Sequence, residues 1–262
     1  MSLIRPAAVA GLFYPDDAAV LASTVAHLMG DVRREAVPSP PKALIVPHAG
    51  YVYSGAVAAS AYATVEAARG TIERVVLIGP SHRVPFRGLA LTRAEAFSTP
   101  LGDVPVDVET AERIFAMPQV IVLDEAHARE HSLEVHLPFL ITVLGRFRLL
   151  PLVVGDADAD EVAEVLEAVW GGPETLIVVS SDLSHYLDYD TARRVDGATT
   201  RAIEARHDDL GPEQACGCRA INGLMRVARR RDMAVQVLDV RNSGDTAGDR
   251  SRVVGYGAYA IP

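Results

Sequence analysis

Cysteine is scarce: Cys216 and Cys218 are the only two in 262 residues, and a single residue separates them. No disulfide framework can be built from such a pair, and the usage fits a reducing compartment. Long apolar runs are missing as well. None approaches the ~18 residues of a membrane span, and the most apolar region, Leu137 to Val154, is broken by Pro138, Gly145, Arg146, Arg148 and Pro151. The N-terminal stretch reaches Tyr14-Pro15-Asp16-Asp17 without the long apolar core of a signal peptide, so a cytoplasmic location and no membrane partner are expected. Basic charge is in deficit: the net charge is −9 and the pI about 5.4. That balance argues against a nucleic-acid partner, which calls for a basic footprint.

Several enzyme signatures are absent too. There is no P-loop and no GxSxG nucleophile elbow. The nearest approach to a dinucleotide fingerprint, Gly255–Ala260, has no helix after it to hold a pyrophosphate. The glycine-rich cluster Asn242–Arg250 reads as an ordered loop or turn pair, and it lacks the bidentate glutamate that ends a calcium loop.

What the chain does have is apolar mass, 49% hydrophobic against 23% charged, as a packed globular protein requires. Ala43–Val46, Val75–Ile78, Leu149–Val154 and Leu176–Val179 are continuous apolar runs without alternation, which suits strands covered on both faces. Between them Asp17–Met29, Ser54–Ala68, Asp158–Trp170 and Asp190–Ala205 carry helical spacing. Met233–Val240 and Val253–Ile261 read as late strands at an antiparallel edge. The Pro-rich stretch Val37–Pro41 reads as a connector. The expected fold is α/β, one layered domain over residues 1–262 with a mostly parallel central sheet flanked by helices.

Three of these strands run into a loop carrying histidine: Pro47-His48, Gly79-Pro80-Ser81-His82 and Ser180-Ser181-Asp182-Leu183-Ser184-His185. In open α/β sheets, ligands bind outside the carboxyl ends of the strands, so these histidines are expected to converge. Gly211–Arg230 reads as a helical region with Pro212 in its first turn, which puts Cys216 or Cys218 near a helix N-terminus, where a thiolate is stabilised. Imidazole and thiolate together suit zinc, copper or iron and suit magnesium and calcium poorly. In the run Glu130–His136, His131 and Glu134 share a helical face while His136 points away. This is therefore not a metalloprotease zinc helix. His131 and Glu134 read either as supports for a metal ligand or as the polar start of a helix. His27, His127 and His207 are assigned no role.

The ordered motifs AGLFYP (Ala10–Pro15), PHAGYVYSG (Pro47–Gly55), IGPSH (Ile78–His82), STPLGDVPVD (Ser98–Asp107), EHSLEVHLPFL (Glu130–Leu140), SSDLSHY (Ser180–Tyr186), CGCRAI (Cys216–Ile221) and NSGDTAGDRSRVVGYGAYA (Asn242–Ala260) resemble the Memo family. Its bacterial members are called the B component of the AmmeMemoRadiSam system. The resemblance implies a fold like the catalytic subunit of class III extradiol dioxygenases. It places metal ligands on His48, His82 and Cys216, the family pattern being Cys followed directly by Gly. It also places an acid–base residue on His185, with Asp182 as its partner. Tyr51 and Ser81 are weaker candidates for substrate contact. Iron or copper is implied first, zinc as an alternative, with an unknown small substrate. Family association suggests a radical-SAM protein and an Ammecr-type domain as working partners.

Two departures stand out: Arg83 replaces a second histidine found after GPSH in many relatives, and Cys216 replaces the carboxylate of the dioxygenase iron site. Ring cleavage is therefore not carried over. A metal-dependent redox enzyme is expected ahead of a metal-handling or anion- and peptide-binding module, with a zinc hydrolase as a further alternative.

Overall fold

The computed structural model describes residues 3–32 and 40–262; residues 37–39 of the expected Pro-rich connector lie outside them. In chain order the strands are β1 (Ile4–Arg5), β2 (Ala43–Val46), β3 (Arg74–Pro80), β4 (Leu89–Leu91), β5 (Ala96–Thr99), β6 (Gly102–Pro105), β7 (Val120–Val122), β8 (Arg148–Val154), β9 (Thr175–Ser180), β10 (His185–Leu187), β11 (Gln236–Asn242) and β12 (Val253–Ile261). A nine-stranded sheet runs β10-β12-β2-β9-β3-β8-β4-β7, with β11 also paired to β12. Its centre, β2-β9-β3-β8, is parallel throughout. On either side the pairing turns antiparallel, at β12–β2 and β4–β8. A separate three-stranded sheet, β1-β5-β6, stands beside it.

The four central strands are apolar without interruption because both faces of the sheet are covered. Leu44 and Val46 point to one core with Val75, Leu77, Leu176 and Val178. Ala43 and Ile45 point to the other with Val76, Ile78, Ile177 and Val179. Helices Ala18–Gly30, Tyr51–Tyr62 and Leu137–Leu144 cover the first face, and Ala159–Ala168 and Cys218–Arg230 pack on the second. Several begin where the sequence supplies a cap: Asp17 accepts from Val20 N, Asp188 accepts from Thr191 N, and Asp158 and Glu161 form a reciprocal capping box.

Three sequence expectations are corrected. The helix expected over Gly211–Arg230 begins only at Cys218, so Pro212 lies in the preceding turn and Cys216 precedes the helix. Glu130–Leu133 is irregular, followed by a short 3-10 turn, Glu134–His136, before the α-helix starts at Leu137 with Pro138 in its first turn. The late strand β12 is no edge: it pairs with β2, β10 and β11.

Candidate metal centre

The order of the central strands builds the site. β9 is the last of the four parallel strands in the chain yet lies between β2 and β3. The loops after β2, β9 and β3 therefore leave the same edge side by side. His48 lies two residues beyond β2, His82 two beyond β3 and Asp182 two beyond β9. This is the position at which open α/β sheets bind ligands.

His48, His82 and His131 bring one ligand atom each within 4.8 Å of one another, a group that could hold a metal ion. The His48 and His82 rings meet edge to face at 5.2 Å, and His82 and His131 stack at 4.6 Å. Burial holds His48 well below the usual imidazole pKa, with the surrounding histidines adding to the shift. Burial also lowers His131, to about 4. Neutral imidazole is the form that ligates metal.

Glu130 anchors the second histidine. Its carboxylate accepts from His82 Nδ1 at 2.8 Å and from the His82 backbone N–H at 2.7 Å. The backbone N–H groups of His131 and Ser132 donate to it as well. Burial pushes the Glu130 carboxyl up, but these donors and the neighbouring His82 hold it down at about 2. An ionised carboxylate only accepts, so His82 carries a hydrogen on Nδ1 and leaves Nε2 free to ligate. His48 is anchored likewise, its Nδ1 2.6 Å from Ser180 Oγ.

Cys216 Sγ lies 3.4 Å from His48 Nε2 and accepts from Asp182 N at 3.2 Å. Burial pushes its thiol pKa up, and the Asp182 charge adds to that. Gly217 makes the approach possible, because a Cβ there would collide with the Ser180 carbonyl and the Ser181 side chain. Cys216 lines a separate, smaller cavity of about 280 Å3 with Ser81, Asp156 and Arg219. The three histidines face a cleft of about 610 Å3, together with Asp182, His185, Phe13, Tyr53, Tyr186, Tyr256 and Arg252.

Asp182 Oδ1 accepts the backbone N–H of His48 at 2.8 Å. Burial raises its carboxyl to about 7 against the opposing backbone hydrogen bonds of His48 and Ala49. His185 stands on the cleft wall, its pKa lowered by burial and held up in part by a hydrogen bond to the Leu183 backbone. Beside it Tyr186 has a left-handed backbone, φ 60°, and an exposed ring lying under the Arg252 guanidinium at 5.1 Å.

The remaining candidates sit elsewhere. Tyr51 Oη donates to the Val135 carbonyl at 2.7 Å within the core, and Ser81 Oγ donates to the Val84 carbonyl at 2.6 Å on the wall of the smaller cavity. Glu134 binds the N-terminal segment, pairing with Arg5 and accepting from Tyr14 Oη, Ala8 N and Val9 N. Sequence reasoning passed over Glu130, Ser180 and His136. The run Glu130–His136 held the signal for the first, but its departure from helical geometry hid which side chains turn toward His82.

Comparison with known proteins agrees with this architecture. The model of the Memo-like protein family matches residues 5–260. A MEMO1 family protein of Aquifex aeolicus is 36% identical, with 97% of each chain covered. One from Methanosarcina acetivorans is 35% identical over 98% of this chain and 99% of its own. An uncharacterized protein of Escherichia coli K12 has a solved structure that superposes with a TM-score of 0.52 at 13% identity, covering 84% of this chain and 99% of that one. That likeness supports the α/β fold, while near full-length identity above the 30% level settles kinship: the chain belongs to the Memo family.

Proposed function

We propose that the cleft is a transition-metal centre in which His48, His82 and Cys216 hold iron or copper, and that it carries out redox chemistry on a small organic substrate. The observation carrying this reading is the convergence of His48 and His82, each anchored through Nδ1, beside a sulfur and a third imidazole. The spacing of one donor pair supports Cys216 as a ligand beside the histidines. Nitrogen and sulfur ligands at ~2.0–2.3 Å from a tetrahedral centre stand about 3.5 Å apart, and Cys216 Sγ is 3.4 Å from His48 Nε2. Borderline-soft donors of this kind select iron, copper or zinc over magnesium or calcium.

A bound ion would supply Lewis acidity and, as iron or copper, one-electron chemistry. The chain's own residues do the rest. His185, partly exposed on the cleft wall, takes up or delivers a proton at its ring nitrogen. Asp182, with a carboxyl near 7, is a second group able to hold one. Phe13, Tyr53, Tyr186 and Tyr256 form an aromatic wall against which a substrate is oriented.

Anaerobic purification with elemental analysis tests the reading. Wild type should carry iron or copper, and His48→Ala, His82→Ala and Cys216→Ser should each lose it. Loss in His131→Ala with retention in Cys216→Ser would move the third ligand to His131. His185→Ala should keep the metal and lose oxygen uptake; retained uptake removes His185 from the chemistry. The three-imidazole group favours a second reading, a zinc hydrolase, which zinc in protein purified anaerobically from iron-replete cells would support. Metal held without turnover of any substrate would mark a metal-handling protein.

A further inference from the structure

Ser180 Oγ is the junction of a buried hydrogen-bond chain that contains no proposed metal ligand except His48. It lies 2.6 Å from the Ser132 carbonyl oxygen. Two oxygens that close share a hydrogen, and the carbonyl has none to give. The single Ser180 hydroxyl hydrogen is therefore committed. The same oxygen is 2.6 Å from His48 Nδ1 and 2.9 Å from His136 Nε2, so it accepts from both. His48 must then carry its hydrogen on Nδ1 and His136 on Nε2.

The far end of the chain gives an independent check. His136 Nδ1, left with a lone pair, lies 2.7 Å from Tyr62 Oη, whose O–H can donate to it. One arrangement of hydrogens satisfies every group. Ser180, His48, His136 and Tyr62 are all buried, where a mismatched donor has no water to turn to.

We propose that Ser180 and His136 are positioning residues that lock the His48 tautomer. Ser180 accepts the hydrogen bond of His48 Nδ1–H, and His136 Nε2–H donates to its second lone pair so that the hydroxyl cannot turn. The lone pair of His48 is thereby fixed on Nε2, the atom facing Cys216. His136 resembles a further metal ligand by residue type but coordinates nothing, since both its nitrogens are engaged inside the core. The consequence for metal affinity rests on reading the cleft as a metal centre, whereas the tautomer belongs to the metal-free chain.

The test uses metal-stripped full-length protein with isotopically labelled histidine. At neutral pH, proton–nitrogen correlation spectra distinguish protonated from lone-pair ring nitrogens. Wild type should show His48 protonated only on Nδ1 and His136 only on Nε2. In Ser180→Ala, His48 should populate both tautomers and zinc(II) affinity should fall about 10- to 100-fold. His136→Gln, whose amide can still donate to Ser180, should keep the single His48 tautomer and most of the affinity. A wild-type His48 protonated on Nε2 overturns the proposal, as does a Ser180→Ala protein with an unchanged tautomer and unchanged affinity. If Ser180→Ala does not fold, the wild-type spectrum decides alone. Wild type showing the expected tautomers but no zinc binding overturns the metal reading and leaves the lock standing.

Discussion

Glu130 and Glu134 stand four residues apart in one short run, both buried, and the fold sets them to different work. Glu134 faces the N-terminal segment and meets a full counter-charge, the Arg5 guanidinium, together with the Tyr14 hydroxyl and the backbone N–H groups of Ala8 and Val9. Glu130 lies beside the cleft histidines, and among the described residues its carboxylate meets the His82 and His131 imidazoles and backbone N–H groups but no guanidinium. The first is a closed ion pair. The second is a negative charge turned toward a site where a cation is proposed, and by accepting the His82 Nδ1–H it makes that imidazole a stronger donor. Burial alone says nothing about role; the group placed opposite by the fold does.

Substitutions at the closed pair should have the largest effect. Glu134→Ala strands the buried Arg5 charge, and removing one partner of such a pair costs about 3–5 kcal/mol. Denaturant unfolding should show the loss, while metal affinity measured where the protein remains folded stays near wild type. An equal loss of metal affinity would break the distinction. Glu130→Gln should do the reverse: calorimetric titration should show metal affinity down about 10- to 100-fold, with a smaller loss of stability than Glu134→Ala. Tyr14→Phe removes one hydroxyl donor from the charged Glu134 and should cost about 1.5–3 kcal/mol in the same unfolding experiment, with no change at the cleft.

A third carboxylate serves as control. Asp107 is buried, which pushes its pKa up, but hydrogen bonds from Arg74 and Thr110 and the Arg74 charge hold it below the usual carboxylate range. Its folded pKa is depressed, so its stabilisation is present above the unfolded value and fades as pH falls through the folded one. Asp107→Asn should therefore flatten the acid limb of a stability–pH profile and leave metal affinity unchanged.

The central strands were legible because burial on both faces leaves an uninterrupted apolar signature, as in Leu176–Val179. The strand-end position of His48 and His82 followed from the same reasoning. The short strands β4 to β7 were not legible. Leu89–Leu91 and Val120–Val122 are three residues each and draw their stability from pairing with one another and, for β4, with β8. Nor was the Ser180–His136–Tyr62 chain. Ser180 reads as a strand end and His136 as a residue facing away, and only the 3-10 turn at Glu134–His136 points that ring at the serine. The start of the last long helix was misplaced because Pro212 mimics a first-turn signal while residues 211–217 form turns instead.

The threading of β9 between two strands laid down far upstream also constrains assembly. Among the described residues, β2 pairs only with β9 and β12, so the strand leading to His48 has no strand partner until β9 emerges far downstream. Contacts of such sequence separation form late and slowly, and a nascent chain can gather its scattered donors only after β9 has been made.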